Sequence, residues 1–410
     1  MEYDDSETSV ELAERTREFM EAEVRPAERE ALQRGQIEES VRHDLQAKAR
    51  EHGIYAPQIG EEYGGMGLDF HDVLPTFEVA GRYLMGASAI RIDAPDEGNM
   101  HTLELLGTEE QKEEYLKPLV ADELRSGFSM TEPQPGAGSD PKMIQTTAEK
   151  DGDEWVIDGH KWWTSNGAVA DFLIVMARTD QDAHPYEGCS LILVPVETDG
   201  VEIVRDIPHM GGGLGGGGHA EITYDDVRVP EENLLGELNM GFTHAQQRLG
   251  PARLTHCMRF SGMAQRSIDI AKAYMSEREA FGSPLADKQE LRYKVADAEI
   301  RLHAARSMVR HAARQIAAGN EARIEVAMSK VFTANVVNDI VDETVQMCGA
   351  NGIGKDLPIA HFYEGCRSFR IVDGADEVHK RVIARNAFED VDPTEVEHVL
   401  RFEEKGAPAQ

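Results

Sequence analysis

Cysteine is scarce in this chain: Cys189, Cys257, Cys348 and Cys366 are the only four in 410 residues, far apart and without a CxxC pair. That excludes a disulfide framework and offers no zinc-ligand spacing, so four reduced core residues and no metal are expected. Long apolar runs are missing too, and no membrane insertion is expected. The opening MEYDDSETSV has neither a basic nor an apolar targeting region, so a cytoplasmic protein is the expectation. Basic residues are few, with 42 Lys and Arg against 75 Asp and Glu and a net charge of −33. The acids are spread along the chain, and such a surface repels nucleic acid and anionic membranes. Two explanations stay open: a halophilic protein whose charge is screened in a high-salt cytoplasm, or a mildly acidic one with cationic partners.

The remaining composition, 41% hydrophobic and 29% charged, is that of a globular protein long enough for two or three domains. Residues 7–121 carry apolar positions three and four apart, interrupted by Pro26 and by the loop at 57–67, which predicts an all-helical first domain over 1–125. Over 126–239 the period falls to two. WVIDGHKWWT, DFLIVMART, CSLILVPV, VEIVRD and HAEITYDDVRV predict a compact antiparallel barrel or sandwich. From 240 to 410 the helical period returns, with long runs at 252–278, 287–318 and 321–348 and a fourth starting near Asp376, which predicts an antiparallel four-helix bundle. The fold class expected is therefore multi-domain α+β. The glycine run at 210–218 contains a literal GxGxxG, but strand periodicity follows it where a dinucleotide site needs a helix, so it is expected to be a flexible loop between strands.

Three stretches carry candidate chemistry. GFSMTEPQPGAGSD, residues 127–140, begins as an alternating strand (Phe128, Met130) and breaks at Pro133, Pro135, Gly136 and Gly138. Its free N–H groups and the hydroxyls of Thr131 and Ser139 suit a flat polar heterocycle with phosphates, and equally an ordinary hairpin turn. In GHKWWTSNG, adjacent tryptophans on a strand should point to opposite faces, one into the core and one able to cover a ligand. SEREAFGSPLADKQ, residues 276–289, reads on its own as a polar turn between helices.

Taken in order, these stretches resemble the acyl-CoA dehydrogenase family, whose TEPxGAGSD, NGxKxWITN, RxxFGxxLxxxQ and QxxGGxG segments recur here along nearly the whole chain. The match is not complete: Gln134 and Pro135 are extra, and Ala350 replaces a glycine. The resemblance implies FAD as cofactor, an acyl-CoA substrate oxidised across Cα–Cβ, an electron-transfer flavoprotein as acceptor, and a homo-oligomer, dimer or tetramer. It places Phe128, Met130, Thr131, Ser139, Trp163 and Ser165 at the flavin, with Ser165 offering a hydroxyl to N5. It sends Arg278, Phe281 and Gln289 across a subunit interface to the adenosine diphosphate end, where Arg is a suitable bidentate donor, and places Gln346 and Gly349 at the cofactor.

Removing an α-proton as a hydride leaves the β-carbon requires a carboxylate. Counting back from the shared Ala384 and Arg385, the family's glutamate position falls on Asp373 within VDGADEVHKRVIAR, with Ala375 and Glu377 implied at the flavin. Ser139, Arg253 and Gly374 are implied at the substrate. An aspartate is intrinsically a weak base, so burial is expected to raise its pKa. The residue also suits the N-cap of the helix that follows. The RLGPARLTHCMR and DEVH runs resemble a branch with an Asp base and long, branched or hydroxylated acyl-CoAs. An oxidase on the same scaffold, of acyl-CoA or nitroalkane type, and a non-catalytic flavin-binding homologue remain as alternatives.

Overall fold

The computed structural model of the chain describes residues 3–211 and 218–392. Its first segment is helical, starting at Glu7–Phe19 behind an N-cap in which the Ser6 hydroxyl accepts from the N–H of Ser9. Leu12, Thr16 and Phe19 recur at helical spacing and are buried. Pro26 does not interrupt this helix as the sequence suggested. The turn at Met20–Val24 widens to five-residue closure and the helix continues as Arg25–Arg34, so the carbonyls opposite the proline ring are not forced against it. The same device precedes Pro118, at Lys112–Leu116.

The helix Phe70–Gly81 joins this segment to the C-terminal helices. A Cβ at Gly81 would lie 2.1 Å from the carbonyl of Arg259, and one at Gly262 would lie 2.1 Å from that of Glu78. Both positions need glycine because the two helices touch backbone to backbone. Ion pairs Arg266–Glu28, Arg306–Glu78 and Arg310–Asp5 flank the crossing.

Eight strands form one sheet among the described residues, mainly antiparallel, with Ser126–Ser129 added parallel to Phe172–Arg178. Alternation along Phe172–Arg178 divides two cores. Phe172, Ile174 and Met176 pack toward the helices, whereas Leu173, Val175 and Ala177 pack within the sheet's own interior. The glycine run at 212–217 lies outside the described residues and is flanked by the strands Val201–Asp206 and His219–Pro230.

The C-terminal part contains Gly241–Glu277, Gln289–Ala317, Arg323–Cys348 and Asp376–Ala387, with the shorter Ile359–Ser368 between the last two. The first of these begins eleven residues earlier than its periodicity indicated and carries Pro251 inside it. Among the described residues no helix is long and apolar enough to cross a membrane.

Candidate active site

A cleft of about 2890 Å³ opens where the sheet meets the C-terminal helices. One wall comes from the loop after Ser126–Ser129. Its shape is set by Glu132, a buried carboxylate that accepts from the N–H groups of Ala137 (3.2 Å), Gln145 (2.7 Å) and Thr146 (2.9 Å) and from Lys161 Nζ (2.9 Å). The lysine is fully buried and also donates to the carbonyl of Met130. Burial pushes the Glu132 pKa up, but Lys161 and the N–H donors outweigh it and hold the carboxyl below its usual range. The extra Gln134 and Pro135 bulge outward and are exposed, and the N–H of Glu132 closes the excursion onto the carbonyl of Ala137 at 2.7 Å. Thr131 is tied to the next strand, its hydroxyl donating to the carbonyl of Trp162 at 2.7 Å.

The two tryptophans do not take opposite faces. A register shift between Lys161 and Thr164 bulges the strand, and Trp163 adopts φ +56°. Both indoles therefore line the cleft, with ring centroids 6.2 Å apart, and Trp163 stays 44% exposed. Beside them Ser165 Oγ lies 3.0 Å from His219 Nδ1.

The other wall carries Asp373. It sits at φ +55° in a turn two residues before Ala375, which is the helix N-cap, so Asp373 does not cap the helix as its position suggested. Its carbonyl accepts from Arg253 Nε at 2.9 Å and His379 Nε2 at 3.1 Å, and the next carbonyl, of Gly374, accepts from Lys330 Nζ at 2.8 Å. Arg253, expected at the substrate, lines the cleft but spends its Nε on this turn. The carboxylate Oδ2 of Asp373 is buried with no hydrogen-bond partner and lies 3.1 Å from His256 Nδ1. Burial alone raises the Asp373 pKa, but His256, Arg248, Arg253 and Lys330 outweigh it, so the net shift is downward, opposite to the sequence expectation.

Of the residues singled out from the sequence, the structure gathers Phe128, Met130, Thr131, Ser139, Trp163, Ser165, Arg253, Asp373, Gly374 and Ala375 around this one cleft. Glu377 is exposed and outside its lining. Arg278, Phe281, Gln289, Gln346 and Gly349 also lie outside it. Phe281 is 98% exposed at the tip of the two-stranded ribbon of Glu279–Ala280 and Ser283–Pro284.

Several residues at the cleft went unrecognised in the sequence. Arg248 stacks over Phe128 at 4.3 Å and donates to Asn99. Glu97 is buried with Oε2 unpartnered, and burial pushes its pKa up against the pull of Arg259 and Arg248. His256 and His379 stood in the quoted HCMR and DEVH runs, and only their fold neighbours reveal them.

Comparison with known proteins gives a consistent result. Three family models match: the N-terminal domain of acyl-CoA dehydrogenase over residues 6–123, the middle domain over 127–227 and the C-terminal domain over 239–388. "Probable acyl-CoA dehydrogenase FadE2" of Mycobacterium tuberculosis is 42% identical over 83% of this chain and 84% of its own length. Acyl-CoA dehydrogenase family member 11 of Gallus gallus is 35% identical over 93% of this chain, which spans 50% of that longer protein. Butyryl-CoA dehydrogenase of Megasphaera elsdenii superposes with a TM-score of 0.83 at 28% identity, covering 94% of this chain and all (100%) of that one.

Proposed function

The chain belongs to the acyl-CoA dehydrogenase family, an FAD-dependent oxidoreductase, and on that premise we propose that it converts an acyl-CoA thioester to the 2-enoyl-CoA with Asp373 as the α-proton base. The observation that carries this is a buried carboxylate oxygen without a hydrogen-bond partner, Oδ2 of Asp373, on a residue of the cleft that the two indoles and Ser165 also line. A buried acceptor left without a donor is costly, and a C–H acid delivered to it gives it a role.

The cleft fits the isoalloxazine. Trp162 and Trp163, set at 63° to each other, offer aromatic surface to it, and Phe128, Met130, Thr131, Ser139 and Ser165 provide an edge of mixed apolar and hydroxyl character. Bound FAD supplies the acceptor for the hydride leaving the β-carbon. The chain's own part is to seat the thioester, exclude water from its α-carbon, and take the proton onto Asp373. Gly374 and Ala375, in the same turn, line the cleft beside the base and would border the thioester and the ring.

The test is anaerobic addition of a panel of saturated acyl-CoAs while following the visible flavin band. One chain class should bleach it, and a yellow protein that no thioester bleaches would sink the reading. Long, branched or hydroxylated chains are the class we propose, with an electron-transfer flavoprotein as acceptor.

We further propose a homo-oligomer in which Arg278, Phe281, Gln289, Gln346 and Gly349 complete the adenosine end of a neighbour's FAD. Their position outside this chain's cleft, with Phe281 fully presented to solvent, supports it. Phe281→Asp is expected to lower the mass measured by light scattering and to release FAD on gel filtration. Unchanged mass and unchanged FAD retention would remove the proposal. The charge of −33 points to a protein suited to concentrated salt. Its melting temperature should rise between about 0.1 M and about 2 M KCl as the surface repulsion is screened. A flat or falling profile would leave the acidity without that explanation.

A further inference from the structure

Asp373 stands at φ +55° and Gly374 at φ +93°, a left-handed turn that aspartate and glycine adopt more readily than other residues and that side chains fasten here. His379 is one of the groups that do. Its Nε2 lies 3.1 Å from the carbonyl of Asp373, and a Cβ at Gly374 would come within 2.8 Å of the same atom, so the ring is packed directly on the turn. A carbonyl only accepts, which fixes the proton on Nε2. A second imidazole meets the other end of the residue. His256 Nδ1 lies 2.7 Å from the carbonyl of Ala252, which fixes its proton on Nδ1, and 3.1 Å from Asp373 Oδ2. Its ring stacks on Phe260 and Phe369 at 21° and 26°, which keeps it from turning away.

We propose, resting on Asp373 as the base, that His379 and His256 are its positioning residues: His379 pins the left-handed turn by its carbonyl, and His256 keeps an N–H beside the carboxylate. The backbone of the base is thereby held in place, and its carboxylate lies beside the positive end of an N–H dipole. During the reaction the α-proton moves to the Asp373 carboxylate, the C–H electron pair stays in the substrate as the β-hydride departs to FAD, and neither imidazole gains or loses a proton. The charged groups around the turn are Glu97 from the helix Asp96–Leu106, Arg248, Arg253 and Arg259 from Gly241–Glu277, and Lys330 from Arg323–Cys348. Burial, then Arg259, lowers His256 to about 4, and burial, then Arg253, lowers His379 to about 4. Both are uncharged throughout the neutral range.

The experiment uses the FAD-loaded enzyme and the acyl-CoA that bleaches it best, with His379→Leu, His379→Gln, His256→Leu, His256→Asn and Asp373→Asn compared by anaerobic stopped flow. Gln and Asn return an N–H donor near Nε2 and Nδ1 respectively. His379→Leu should bleach roughly 10- to 100-fold more slowly, as expected of a displaced reacting group, with acyl-CoA affinity held within about threefold, and His379→Gln should recover most of the rate. His256→Leu should move the acid limb of the rate toward neutral pH by roughly one unit, because the carboxylate loses a polar N–H dipole 3.1 Å away, and His256→Asn should move it back. Leucine variants with wild-type rates and an unmoved limb would overturn the proposal, as would rate losses that Gln and Asn do not repair. If a leucine variant loses FAD, His379→Ala and His256→Ala with free imidazole take its place, and failure of imidazole to restore rate counts against it. Asp373→Asn separates the two claims: wild-type bleaching in that variant sinks the base itself, whatever the histidines do.

Discussion

Asp373→Asn should slow bleaching of the flavin by an acyl-CoA by roughly 10²- to 10⁴-fold, the range general-base catalysis supplies, while the protein stays folded and yellow. The fold should survive because the groups that hold this residue act on its main chain. Arg253 and His379 donate to its carbonyl and Lys330 to that of Gly374, and all three remain in the variant. Only the carboxylate, which has no hydrogen-bond partner, is altered. The pH profile carries a second expectation. Because His256, Arg248, Arg253 and Lys330 outweigh burial and lower the Asp373 pKa, the base is ionised at neutral pH, and its activity is lost only as pH falls through that lowered value. The acid limb of kcat/KM should therefore lie below the ordinary carboxylate range of about 3.9, and a limb near neutrality would contradict the electrostatics described.

Glu132→Ala should destabilise the protein by about 3–5 kcal/mol, the cost of removing one member of a buried ion pair. The loss goes beyond one contact. Lys161, fully buried, would keep only the carbonyl of Met130, and the N–H groups of Ala137, Gln145 and Thr146 would each lose their acceptor. Those donors frame the loop that brings Ser139 to the cleft, so FAD retention should fall with the melting temperature. Since Glu132 is held below its unfolded pKa, its stabilising effect is present above about pH 4.5 and is lost as pH falls through the folded value. Denaturant titrations at neutral pH and near pH 4 should show the gap between wild type and variant narrowing in acid. A gap of under about 1 kcal/mol at neutral pH would mean that the pair is not the loop's anchor.

The order of helices, strands and helices was legible in the sequence because it depends on local period, 3.6 against 2, and the motifs fell where a cleft later gathered them. Errors arose where a local rule met a tertiary partner. Pro26 and Pro251 lie within helices, the first because a widened turn accommodates the ring. Trp162 and Trp163 were placed on opposite faces by strict alternation, which the bulge before Thr164 breaks. The pKa of Asp373 was expected to rise because only its burial was foreseeable. Its cations come from positions 43 to 125 residues away in the chain on two different helices, and no local pattern connects them. Arg253 was legible as part of the site, but whether its guanidinium meets the substrate or the base's own carbonyl depends on packing alone.

The hydrogen bond from the N–H of Glu132 to the carbonyl of Ala137 makes the four residues between them a closed side branch of the loop. Chain length within that branch is uncoupled from the placement of Ser139, because the carboxylate of Glu132 ties down the residues after it independently. Gln134, exposed at its outer edge and outside the cleft's lining, is thus an attachment point for a reporter that leaves the binding surface unaltered.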